Sequence, residues 1–129
     1  MEWVGGNMGS GVTMLYPCSM LLEEGASADH LGIAFANRDQ EQDTGAKVFH
    51  MASNTSSKVL SKSLSKNGGM AHYRGIIKVA PHAENCHISS ECDGLLLDNI
   101  SHSHTTPILD IANNSAFVSH EASVGRLSE

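Results

Sequence analysis

The sequence predicts an all-β fold, a parallel β-helix. Three observations predict it: short apolar runs cut by turn residues, no sustained helical stripe, and strand pairs recurring every roughly 25–35 residues. Extended segments are expected at 12–22, 31–36, 47–52, 57–66, 72–80, 87–97, 107–112 and 116–124. Between them lie Glu24-Gly25, the stretch 37–45, Ser53-Asn54, Asn67-Gly68-Gly69, the stretch 81–85 and Asn113-Asn114. These are turn formers, because Gly, Asn and Asp tolerate the left-handed backbone or bond to their own main chain. Segment 57–66 is ambiguous, since Lys58, Lys62 and Lys66 fall at helical spacing. Its many serines compete with helical backbone bonds and favour a strand.

Segments 47–52 with 57–66, 72–80 with 87–97, and 107–112 with 116–124 form three successive strand pairs. A period of this kind is expected of stacked coils, whose strands pair with those of the coils above and below. Three to four coils would fit. An antiparallel sandwich is the alternative, because sequence alone does not set strand pairing.

The 129 residues are enough for one domain, 1–129, with a real core. Charged residues make up only 17%, and Ser, Asn, Thr and His take their place, as suits strands and turns. A net charge of −6 argues against general nucleic-acid binding. No apolar run approaches bilayer length, and Met1-Glu2-Trp3 opens no signal peptide, so no membrane role is expected. Cys18, Cys86 and Cys92 form no C-x-x-C pair and read as free thiols of a reducing compartment such as the cytoplasm. Lys47, Lys58, Lys62, Lys66, Arg74 and Lys78 occupy a stretch without Asp or Glu. It reads as a solvated face, with an acidic partner's docking face as the alternative.

Several segments together resemble one family. They are Gln42-Asp43-Thr44-Gly45-Ala46-Lys47, Asn54-Thr55-Ser56-Ser57, Ser61-Lys62-Ser63, Ser65-Lys66-Asn67-Gly68-Gly69 and Tyr73-Arg74-Gly75. Cys92-Asp93-Gly94-Leu95-Leu96-Leu97-Asp98 and His120-Glu121-Ala122-Ser123-Val124-Gly125 follow in the same order. The set resembles the SufB/SufD family of iron–sulfur cluster assembly scaffolds, and Cys92-Asp93 and His120-Glu121-Ala122 lean towards SufB. The resemblance implies a right-handed parallel β-helix and a non-enzymatic scaffold that carries a transient iron–sulfur cluster. It implies as partners a SufD-like paralogue or a second copy, a SufC-type ABC ATPase and a cysteine desulfurase system. It also implies a cytoplasmic location, or a plastid one in plastid-bearing organisms. Family members are several times longer, so the chain reads as a fragment or truncated homologue. Ser53 stands where the family commonly has Pro, His104 where Asp is frequent, and Ile108 where an aromatic is usual.

Cys92 leads the candidates, because thiolate is a soft iron ligand and a persulfide acceptor. A free cysteine is otherwise a small buried hydrophobe. Strand parity puts Cys92 on the inner face with Ile88 and Leu96, and Glu91 and Asp93 outside. His120 and Glu121 follow by 28 and 29 residues, about one coil. Parity turns His120 inward with Val118, Ala122 and Val124, and Glu121 outward; a bulge would exchange them. Both stand as metal ligands beside Cys92. Cys86-His87 fits no zinc spacing, Cys18 reads as core, and His102 and His104 read as surface residues of a turn-rich segment, with auxiliary ligands as the alternative. Segment 5–11 is rich in Gly but lacks the ending of a P-loop, so no nucleotide site is expected in this chain. Two other functions compete: a SufD-like structural partner without its own cluster, and a small metal-dependent β-helix enzyme.

Overall fold

The computed structural model describes residues 2–7, 9 and 11–127. Its strands are β1 (Glu2–Asn7), β2 (Val12–Leu15), β3 (Cys18–Leu21), β4 (Ser27–Ala36) and β5 (Glu41–His50). They continue with β6 (Ser56–Ser65), β7 (Met70–Val79), β8 (His87–Leu96), β9 (His102–Ile111) and β10 (Phe117–Arg126). One sheet runs β1-β4-β6-β8-β10. The other runs β2-β5-β7-β9, with β3 also pairing β5. Every pairing is parallel, and from β3 onward consecutive strands alternate between sheets, while β2 and β3 share one. The chain is therefore a parallel β-helix of about four turns.

The repeat follows from the register. In the first sheet Ser27 pairs Ser56, Ser56 pairs His87 and His87 pairs Phe117, steps of 29, 31 and 30 residues. In the second, Glu41 pairs Met70 and Met70 pairs His102, steps of 29 and 32. Side chains alternate in and out along each strand, so in-register residues build columns inside the helix. Ala28, Ser57 and Ile88 form one buried column, and Val59 and Ser90 lie in the next. Many inward residues are small, which keeps the two sheets close. The apolar interior falls into two clusters, one around Val48, Val59, Tyr73 and Cys92, the other around Ile77, Val79, Cys86 and Ile88.

The corners repeat as regularly as the strands. Gly25, Asn54 and Asn85 each stand two residues before a strand of the first sheet with positive φ, 81°, 58° and 56°. Asp39 and Gly68 do the same before β5 and β7, at 57° and 85°. Left-handed backbone costs a branched side chain most and Gly or Asn least, which is why those residues recur there. Asn67 Nδ2 donates to Asn37 Oδ1 at 2.9 Å, tying one corner to the next. At another corner Ser53 donates its hydroxyl to His82 O at 3.2 Å and accepts from Glu84 N–H at 3.0 Å.

The structure corrects several expected boundaries. Segment 12–22 is two strands broken at Tyr16-Pro17, because Pro cannot donate to a ladder. Three strands begin at least four residues earlier than expected: β4 at Ser27, β5 at Glu41 and β9 at His102. Polar residues and Gly open them, and the stacked neighbour supplies the pairing that propensity does not. Gly5 and Gly6 lie within β1 rather than in a loop, while residues 8 and 10 of that segment lie outside the described residues. Cys18, expected in the core, is exposed. Lys58 and Lys62 are on the outer face of one sheet, Lys47, Arg74 and Lys78 on that of the other, and Lys66 in a corner. The basic residues share no single face.

Candidate functional site

Strand β8 alternates Ile88, Ser90, Cys92 and Leu96 inward, so Cys92 faces the interior as its parity requires, 4% exposed. Its register partners are Ser61 on β6 and Ala122 on β10. Cys92 Sγ lies 3.6 Å from Thr105 Oγ1, across the lumen on β9. Burial pushes the thiol pKa up, while hydrogen bonds with Thr105 and Ser61 hydroxyls pull it down. The thiol is therefore held neutral, beside two hydroxyls able to hydrogen-bond a thiolate.

The step from β8 to β10 is 30 residues, so Ala122, not His120 or Glu121, sits beside Cys92. The expected 28–29 falls short because the corner from 97 to 101 and that from 112 to 116 together set the coil length. His120 pairs Ser90 and Glu121 pairs Glu91. His120 shares the inner face with Cys92, two residues back on the adjacent strand, about 8 Å away by Cα from the strand spacing and rise. Its Nδ1 is buried without a hydrogen-bond partner. Glu121 is exposed on the outer face. There it helps raise the pKa of Glu91, whose largest influence is a hydrogen bond with Asp93. Cys92 and His120 thus share one wall, and Glu121 stands on its far side.

The other sequence candidates separate. Cys86 is buried against Thr55, with Sγ to Oγ1 at 3.3 Å, while His87 turns out and stacks on Phe117 at 4.8 Å. His102 and His104 lie in β9 rather than in a turn, both exposed. Two histidine settings were not anticipated. His50 is fully buried, bonded to Thr55 and Ser57. Its inward parity with Ala46 and Val48 carried that signal. His72 is the register partner of His104, a relation visible only once the 32-residue step is known. Among the described residues, no three His, Cys, Asp or Glu side chains are arranged to hold a metal ion.

Comparison with known proteins decides the family. The family model described as "SUF system FeS cluster assembly, SufBD core domain" matches residues 1–129. The chain belongs to the SufBD family. It is 50% identical over all 129 residues to an "Iron-sulfur cluster assembly SufBD family protein" of Staphylococcus epidermidis. Proteins of the same description from Staphylococcus haemolyticus and Staphylococcus aureus are also 50% identical over the whole chain. The chain spans 28% of the length of these SufBD relatives. SufBD proteins are components of iron–sulfur cluster assembly. Among the described residues no helix is long and apolar enough to cross a membrane.

Proposed function

We propose that this SufBD chain is one β-helix domain, 1–129, of a longer SufB-like scaffold, and that its cargo is nascent iron–sulfur cluster or persulfide sulfur. Cys92 is the anchoring thiolate. His120 is the second ligand from the inner face. Glu121 is the alternative, reached by a local change of face in β10. The supporting observation is the inner wall itself: a thiol beside Ser61 and Thr105, and an imidazole nitrogen without a partner on the same face of the next strand. A thiolate arm and an imidazole arm from positions about 8 Å apart by Cα can meet on one iron, with bonds near 2.3 and 2.1 Å.

The role is non-enzymatic: the chain holds what other components make. Its partners would be a SufD-like paralogue or a second copy, a SufC-type ABC ATPase that does the nucleotide work, and a cysteine desulfurase system. The compartment would be the cytoplasm, or a plastid. One observation favours a second reading, a SufD-like structural partner without its own cluster. Burial raises the Cys92 thiol pKa and so opposes the thiolate.

Anaerobic reconstitution with iron and sulfide separates the two. Cys92→Ser is nearly isosteric and should abolish cluster absorbance and iron retention while leaving the circular dichroism unchanged. His120→Ala and Glu121→Ala should reduce both less, because water or a small anion can replace either ligand. Full loading of the Cys92→Ser protein, in the complex with its partners, would remove Cys92 from the role.

A further inference from the structure

The outer face of the second sheet carries a second group of metal-competent side chains, away from the inner wall of Cys92. His72 on β7 and His104 on β9 are register partners. His102 precedes His104 by two residues and so projects to the same side. The His72 and His104 rings are 5.8 Å apart between centroids, at 51°. The His102 and His104 rings are 6.4 Å apart and nearly parallel, at 6°. His102 and His104 are exposed, and His72 is half-buried.

We propose that His72, His102 and His104 form a surface site for a divalent transition cation of the imidazole-preferring class, such as zinc, cobalt, nickel or copper. Two imidazoles on one tetrahedral ion, with nitrogens at about 2.0–2.1 Å, have centroids about 5 Å apart. The His72–His104 spacing is near that value, and the His102–His104 spacing is wider. The rings do not converge as they stand. His72 Nε2 is instead paired with Thr106 Oγ1 at 2.9 Å. The backbone already supplies the spacing, since register neighbours lie about 4.8 Å apart and i,i+2 neighbours about 7 Å. Only side-chain rotation is needed, breaking one exposed hydrogen bond.

The surrounding groups fit a neutral, three-nitrogen donor set. Asp43, the register partner of His72 on β5, is engaged by Arg74 Nε at 3.2 Å and by the Tyr16 hydroxyl, and does not join the ligands. Three imidazoles leave a fourth position for water or an exchangeable ligand. The thiol on this face, Cys18 on β3, is in register with Lys47 on β5, four residues along from Asp43, the partner of His72, about 16 Å from His72 by Cα, so the donor set is imidazole and favours cations that prefer it. Thr105, between His104 and Thr106, turns inward to Cys92, which puts the two sites on opposite faces of one strand.

The test is a cobalt(II) and zinc titration, under anaerobic conditions, of the 129-residue chain carrying Cys92→Ser, which removes the thiolate assigned to the cluster. The expected result is one saturable equivalent, with ligand-field bands of nitrogen coordination and no thiolate-to-cobalt charge transfer. His72→Ala, His102→Ala and His104→Ala should each weaken binding about tenfold or more with unchanged circular dichroism. The chain with Cys92 intact should show the same nitrogen-coordinated equivalent, and any thiolate charge transfer that appears only there belongs to the inner wall, which separates this site from the cluster reading. Undiminished binding by the His104→Ala protein, thiolate charge transfer in the Cys92→Ser chain, or no saturable binding would each overturn the proposal.

Discussion

His50 shows how much one buried side chain can determine. The Thr55 hydroxyl donates to Ala52 O at 2.9 Å, so it accepts from His50 Nδ1–H, at 2.8 Å. His50 Nε2 then accepts from the Ser57 hydroxyl, at 2.9 Å. The imidazole is neutral and its tautomer is set by its partners. Burial lowers its pKa, and that of His30, which faces the Ser19 hydroxyl at 2.7 Å. The unfolded chain therefore binds protons that the folded chain refuses. Stability is complete above the unfolded value of about 6.5 and is lost as pH falls towards the lower folded values. Thermal unfolding should show a midpoint that is flat from pH 8 to 7 and drops below about pH 6.5. His50→Leu should flatten part of that drop. At neutral pH it should cost about 2 kcal/mol or more, through the stranded Ser57 hydroxyl and the bond to Nδ1–H that Thr55 Oγ1 loses. An unaltered pH profile in that variant would exclude His50 as a source of the drop.

At the scale of elements, strands and corners have different causes. Strands are held by the neighbouring coil, so polar segments such as 41–45 become strand once β2 and β7 flank them. Corners are set by local backbone. Asn54, at φ 58°, also donates its side chain to Glu24 Oε1 at 2.6 Å. Asn54→Gly keeps the conformation and should change stability by under about 1 kcal/mol. Asn54→Val puts a branched residue in the left-handed region and should cost about 1–3 kcal/mol. Urea denaturation of the pair measures the difference. Equal midpoints would mean that the corner relaxes to another turn and that the left-handed repeat is not required.

For the whole molecule, the open question is the face that the last coil presents. Ile77 and Ile88 are each 3% exposed because a further coil lies over them. Their register partners Leu109 and Val118 are 40% exposed, since among the described residues no strand stacks beyond β9 and β10. Inward-facing apolar residues and unpaired strand edges favour association with another strand-bearing surface. The isolated chain should form dimers or larger oligomers, read by light scattering after gel filtration. A monomer at tens of micromolar, about the range where such surfaces associate, would contradict this. Val118→Glu should shift any oligomer towards monomer.

The sequence by itself determined the class of the fold, because inward alternation, turn residues and a repeat near thirty are local and one-dimensional properties. It also predicted that Cys92 faces inward, and left His120 and Glu121 open to exchange by a bulge, which the regular register of β10 then decided for His120. The coil length was beyond it. Each corner adds its own residues, so the steps vary from 29 to 32 among the central strands, and only closing the coils shows that Ala122 lies beside Cys92. The same closure joined His72 to His104 across 32 residues and Thr105 to Cys92 across the lumen. Those contacts join side chains from different strands, and strand pairing is a property of the packed chain rather than of any segment.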